Sequence, residues 1–362
     1  MSQGVVKEIA AIQSHKNQLS SIEAARGIAA VMVVFYHAAR HLKADTGYLP
    51  WQGVSQFGHS GVDFFFVLSG FIIMFVHRKD LGNPHTLLKY FERRFTRIYP
   101  YFWFSLGIGI VLTLLSSKNK TLDLAFILST ATLLPFGGDV GVAWTLQHEI
   151  LFYLVFAVAI FNWRLGLGLF ASWMILVFTI WDAATTPSSF PLIQKLVAPV
   201  NLEFFFGLAA AYVVQSRRLN SFKICAWIGA AVFLTIGIAE NLGMFDGYAP
   251  SSQLAYGSAS ALIVMGIATA ELRGGLRVPK LLTVLGSASY SIYLFHLPCI
   301  GVVYKLLAVT DLLKTIPIPM LYAILVATGV FGGVLLSQMV VYPLMNYVRG
   351  ILSHRPKRHP KA

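Results

Sequence analysis

Ten apolar runs, each about 20 residues long, dominate this sequence and set what it can fold into. They fall near residues 22–42, 60–78, 95–116, 142–161, 164–182, 200–216, 222–240, 252–271, 284–308 and 319–343. A helix of that length spans the hydrocarbon layer of a bilayer, and inside lipid only helices or closed barrels satisfy their own backbone polar groups. The expected fold is therefore all-α, a polytopic integral membrane bundle of about ten transmembrane helices. One further apolar piece, residues 121–136, is short for a span and is expected to be re-entrant or interfacial. Composition agrees: charged residues make up 12% of the chain, against about 25% in soluble domains. A water-soluble globule, a disordered chain and a DNA-binding domain are excluded as the main body.

The net charge of +13 does not point to nucleic acid, because Lys and Arg gather in short loops and at the chain ends. The stretch His77–Arg94 holds Arg78, Lys79, Lys89, Arg93 and Arg94; Gln215–Lys223 holds Arg217, Arg218 and Lys223; Glu271–Lys280 holds Arg273, Arg277 and Lys280. The tail adds Arg355, Lys357, Arg358 and Lys361. Placing all of these on the cytoplasmic side puts both termini inside and makes residues 121–136 dip in and return, or lie on the outer surface. Lys118 and Lys120 oppose the rule mildly, and eleven spans remain compatible with the sequence. The expected partition is a cytoplasmic segment 1–20, a membrane domain 21–347 and a basic tail 348–362, with Asp182–Val200 as an external loop. The first nineteen residues are polar and lack a cleavable secretory pattern. Cys225 and Cys299 both lie in apolar helices, so no disulfide framework is implied.

Ionisable groups within a span are costly and mark functional positions. The first span carries Arg26 and His37. Eleven positions at 100° each make three turns and a small remainder, so both side chains share one face, about 16 Å apart along the axis. A cation at the cytoplasmic rim and a titratable imidazole in the outer half suit a long anionic donor carrying a thioester. Equally, Arg26 can snorkel to headgroups and His37 can be a packed polar residue. Arg94 and Arg97 are helical neighbours whose paired guanidiniums match phosphate oxygens, or serve only as positive-inside charge. Glu149 shares His37's depth by residue count; it would orient the imidazole, bind acceptor hydroxyls, or be a buried structural acid. His148 beside it points elsewhere and is the second choice for a base. Asp63 would contact acceptor hydroxyls or cap its helix beside Ser60. Ser289, Tyr293 and His296 follow an i, i+4, i+7 stripe near a kinking Pro298 and either line a channel or join helices. Glu203 and Glu240 look like helix-end residues. The histidines show no HExxH spacing and no Cys partners, so no metal is expected. No Gly-x-Ser-x-Gly elbow and no Walker loop occur.

Together these blocks resemble the membrane-bound acyltransferase 3 family. The resemblance rests on the Arg-x10-His pair Arg26 and His37, the block Gly61–Phe71, the Arg-x-x-Arg pair Arg94 and Arg97, the block Trp144–Tyr153 and the block Ser287–Pro298. They occur in family order over nearly the whole chain. The resemblance implies transfer of an acyl group, usually acetyl, from cytoplasmic acetyl-CoA to a hydroxyl of a polysaccharide or lipid-linked saccharide, as in exopolysaccharide and O-antigen O-acetyltransferases of the bacterial inner membrane. On that basis His37 and Glu149 are the expected catalytic pair, Arg26, Arg94 and Arg97 hold the donor, and Asp63, Trp144, Tyr293 and His296 meet the acceptor. No nucleic acid or metal enters this reading. The rival reading is a glycan or lipid-linked-substrate exporter, whose path would use the same buried Arg, His and Glu; the absence of visible inverted repeats argues against it.

The charge pattern predicts a topology. In a background without Cys225 and Cys299, Asn83→Cys and Arg277→Cys are expected to react with an impermeant maleimide only in permeabilised cells, and Met244→Cys in intact ones. Labelling of all three from one side would overturn the orientation.

Overall fold

The computed structural model describes residues 19–49, 55–115, 123–134, 141–180, 191–216 and 223–353. Helices form the bundle: α1 Ser20–Thr46, α2 Gly61–His77, α3 Leu87–Leu114, α4 Leu124–Ala131, α5 Ala143–Phe161, α6 Trp163–Ile180, α7 Pro191–Val197, α8 Asn201–Ser216, α9 Lys223–Asn241, α10 Pro250–Leu272, α11 Lys280–Val309, α12 Ile318–Leu336 and α13 Tyr342–Ser353. No strand occurs among the described residues. Among the described residues ten helical stretches are long and apolar enough to cross a membrane, matching the ten apolar runs.

Several boundaries move, for identifiable reasons. α3 starts at Leu87, more than two turns before the apolar run, so Lys89, Arg93 and Arg94 are helical rather than loop residues. Charge ends a hydropathy window but does not end a helix. α4 has eight residues, about 12 Å, too short to cross. Its last carbonyls would be orphaned in lipid, and α3 takes them: Trp103 Nε1 donates to Ala131 O at 2.8 Å and Tyr99 Oη to Thr132 O at 2.8 Å. The second half of the expected external loop is ordered as α7, whose Leu196 carbonyl accepts from Trp173 Nε1 at 2.6 Å. Residues 1–18, 116–122, 135–140, 181–190, 217–222 and 354–362, which hold Lys118, Lys120, Arg217, Arg218 and the tail cations, lie outside the described residues.

Small residues bring the principal helices together. α1 crosses α11 where Gly27 meets Gly286: a Cβ on Gly27 would sit 2.7 Å from Gly286 N, and one on Gly286 would sit 2.2 Å from Glu23 O. α2 crosses α8 in the same way, with the Gly207 Cβ position 2.0 Å from Val67 O and that of Gly70 2.1 Å from Phe204 O. Backbones this close gain dispersion contacts that lipid cannot supply. The start of α1 is held by a different helix. Glu271, at the end of α10, accepts from Ser20 N and Ser21 N, each at 2.8 Å. One carboxylate thereby satisfies two of the four orphan donors and faces the positive end of the α1 dipole.

The crossings yield a direct expectation. Gly286→Val drives a side chain into the α1 backbone and should cost about 3 kcal/mol or more, read as a lost or lowered melting transition in detergent. Gly109→Ala, on α3 with nothing within 4 Å, should leave the melt unchanged or raise it slightly.

Candidate active site

A polar cavity and a smaller one with largely apolar walls open along the inner faces of α1, α2, α3, α5 and α11. The larger, 470 Å³, lies at the Ser20 end of α1 and is lined by Glu23, Arg26, Arg93, Arg94, Arg97, Tyr101 and Tyr290, with Tyr342 and Met345 of α13 at its side. The smaller, 50 Å³, shares Arg26, Arg97 and Tyr290 and adds Ser69, Thr145, Glu149 and Tyr293. The structure thus brings Arg26, Arg94 and Arg97 to one cavity, as their spacing predicts, and adds Arg93. Tyr290 lies on the same α11 stripe as Gly286 and Tyr293, so the helical period that selects Tyr293 also selects Tyr290.

The guanidiniums are held differently. Arg94 is buried, and its Nη2 donates to His77 Nε2 at 3.1 Å; His77 Nδ1–H in turn donates to Asp80 Oδ2 at 2.7 Å. That chain fixes the imidazole tautomer and holds Arg94 over the Tyr153 ring, 5.4 Å from its centroid. Arg26 and Arg97 instead share Glu149 as an electrostatic neighbour. Tyr153 Oη donates a short hydrogen bond to Glu149, and Ser69 Oγ lies 3.4 Å away. His77 was read only as a loop residue; its i, i+3 spacing to Asp80 is the signal for its place in this chain.

His37 has other company. Its ring meets Tyr36 edge-on at 5.0 Å and the His296 ring at 5.1 Å, tilted by 41°. His296 is fully buried. Its Nδ1–H donates to the Tyr293 carbonyl at 2.7 Å, with the Ile292 carbonyl at 3.2 Å, which leaves Nε2 as a bare acceptor without a protein partner. Tyr293 Oη in turn reaches Thr145 Oγ1 at 2.8 Å.

Three expected placements are corrected. Glu149 lies with the guanidiniums rather than against His37: equal depth by residue count does not fix the direction a side chain faces, and α5 packs on α6 and α3 instead of α1. Trp144 is turned away from both cavities, against Phe66 and His148. Residues 144 and 148 share one helical face while Thr145 and Glu149 share the next. His148 itself is bound to Asn201 Oδ1 at 2.9 Å. Asp63 is buried against Glu203 of α8, away from the cavities, and Ser60 Oγ donates to Phe57 O instead of capping α2. Glu203 and Glu240 are at helix ends as expected, in the first turn of α8 and the last turn of α9, and both side chains are also turned into the fold. Among the described residues no cluster of three or more His, Cys, Asp or Glu is placed to hold a metal ion.

Residues 19–338 match a family described as acyltransferase domain. Over 265 residues the chain is 31% identical to the exopolysaccharide production protein ExoZ of Rhizobium meliloti, covering 68% of this chain and 78% of that protein. No solved structure matches it.

If Glu149 balances Arg26 and Arg97, Glu149→Gln should lower stability by about 1–3 kcal/mol. The double variant Arg97→Gln with Glu149→Gln should recover part of that loss in a thermal melt of the purified protein. A wild-type melt for Glu149→Gln would remove this role.

Proposed function

Since this chain belongs to the acyltransferase 3 family, whose model spans most of its length, we propose that it transfers an acetyl group from cytoplasmic acetyl-CoA to a hydroxyl of an exported or surface polysaccharide. The observation that carries this reading is the division of α1: four guanidiniums gather in a cavity at one end of the helix, and an imidazole, partly buried beside Tyr36 and His296, stands three turns above. The printed name of the relative from Rhizobium meliloti supports a polysaccharide as acceptor.

Arg26, Arg94 and Arg97, with Arg93 at the rim, would hold the donor's phosphates, because planar guanidiniums match phosphate oxygens in pairs. Buried guanidiniums require compensation, and Glu149 supplies it for Arg26 and Arg97; in this reading it positions the donor site. Tyr290 and Tyr293 line the smaller cavity, and the Tyr293 ring lies 6.1 Å from that of His296, which meets His37. The acceptor hydroxyl oxygen attacks the thioester carbonyl carbon while neutral His37 takes its proton. The carbon–sulfur bond then breaks, the new ester leaves on the acceptor, and the CoA thiolate receives the proton from His37. His296 assists by packing its ring against that of His37, 5.1 Å away, which limits the directions the base can face. Direct attack needs one base and no acyl-enzyme, so it is the simpler course.

Membranes carrying wild-type protein should transfer label from acetyl-labelled CoA to polysaccharide purified from cells lacking the gene. His37→Ala should reduce that transfer by about 100-fold or more. Arg97→Ala should weaken CoA binding about tenfold. Transfer that survives His37→Ala would exclude this base, and a chain that exports glycan but binds no CoA would be an exporter instead.

A further inference from the structure

A second polar constellation sits at the Thr46 end of α1, outside both cavities. His59, on the single 3-10 turn Gln56–Ser60 before α2, points Nε2 at Glu240 Oε1 of α9, 2.9 Å away. Both side chains are under a tenth exposed. Tyr256 of α10 donates to the other carboxylate oxygen, Glu240 Oε2, at 2.6 Å. Glu240 therefore has both oxygens engaged, and its work is to hold the His59 ring.

The Tyr248 ring stacks on His59 at 4.3 Å with a 21° tilt. Its hydroxyl lies 2.6 Å from that of Tyr36. The backbone beneath it is pinned by Asp246, which accepts from Tyr248 N at 2.9 Å through Oδ1 and from Ser252 Oγ at 2.7 Å through its carbonyl. Yet Tyr248 remains 54% exposed. A tyrosine that merely anchors a membrane surface turns its hydroxyl to water or headgroups. Here the hydroxyl is tied inward, one ring face is occupied, and what stays open is aromatic surface. Two hydroxyls 2.6 Å apart spend one proton on each other and keep the second for a ligand.

Tyr36 precedes His37 and touches its ring at 5.0 Å, so this surface lies within one side chain of the proposed base. A phosphate is disfavoured there, because Tyr248 has the Glu240 carboxylate as well as Arg40 among its electrostatic neighbours. An apolar chain is disfavoured by the density of hydroxyl, imidazole and carboxylate groups. We propose that Tyr248, tied by Tyr36 and backed by His59 and Glu240, is a preorganised stacking platform for a pyranose ring of the saccharide acceptor, delivering its hydroxyl to His37. This rests on the acyl-transfer reading for its purpose, though saccharide binding can be measured without it. The ring is held before binding, so little conformational entropy is lost on capture.

The test uses the full-length protein in lipid nanodiscs and oligosaccharides released from the polysaccharide of cells lacking the gene, with CoA binding measured in parallel. Tyr248→Ala should weaken saccharide binding about tenfold, and Tyr248→Phe, which keeps the ring and loses the tether, about threefold. CoA binding should not change in either variant. Saccharide affinity unchanged in Tyr248→Ala overturns the proposal, as does no saccharide binding by the wild type. A parallel loss of saccharide and CoA binding in both variants also overturns it, since that marks a structural tie. Wild-type protein that binds the oligosaccharides through Tyr248 but transfers no acetyl supports the platform and removes the proposed activity.

Discussion

The contact between Gly27 and Gly286 sets the geometry on which the rest of the bundle depends. Two backbones touching at that point leave α1 and α11 little freedom to slide or rotate past one another. The next consequence lies ten residues further along each helix, where His37 meets His296. Equal offsets on both helices mean that one crossing brings both ends into register. Beside it Arg26 and Tyr290 border the same cavities; ten residues on, two imidazoles face each other. A side chain at either glycine would open both ends together.

Charge is the second constraint. A buried guanidinium without a partner is costly in a membrane, and this fold meets that cost in two separate ways. Arg94 is tied through His77 to Asp80 and shielded by the rings of Tyr90 and Tyr153. Arg26 and Arg97 share Glu149. The first arrangement fixes a charge in place. The second sets Arg26, Arg93 and Arg97 against two carboxylates, Glu23 and Glu149, an excess of positive charge that a bound anion can neutralise.

Much of this was legible in the sequence. Apolar run length fixed the fold class, and the helical period put Arg26 and His37 on one face and Arg94 beside Arg97. What one helix could not reveal was its neighbour. The depth of Glu149 followed from counting, but its direction depended on α5 packing against α3 and α6. Trp144 and Glu149 were read as one block although 100° per residue sends 144 and 148 one way and 145 and 149 another. Glu240 is a helix-end residue as its position indicates, but nothing in α9 announces that the Gln56–Ser60 turn and α10 fold over it. Hydropathy reports where a segment sits across the bilayer, and little about which face it turns to which partner.

The carboxylate of Glu271 on the first turn of α1 bears on biogenesis. Its residue lies at the end of the eighth span, and Gly286 lies in the ninth. As the nascent chain emerges from the ribosome, the leading amides of α1 therefore have no carboxylate to meet until the eighth span has followed, although Glu149 for its arginine comes with the fourth. The site is closed by late arrivals, so a chain truncated after the seventh span retains the signature residues of α1 and its contacts with α2 but lacks α11, its principal partner.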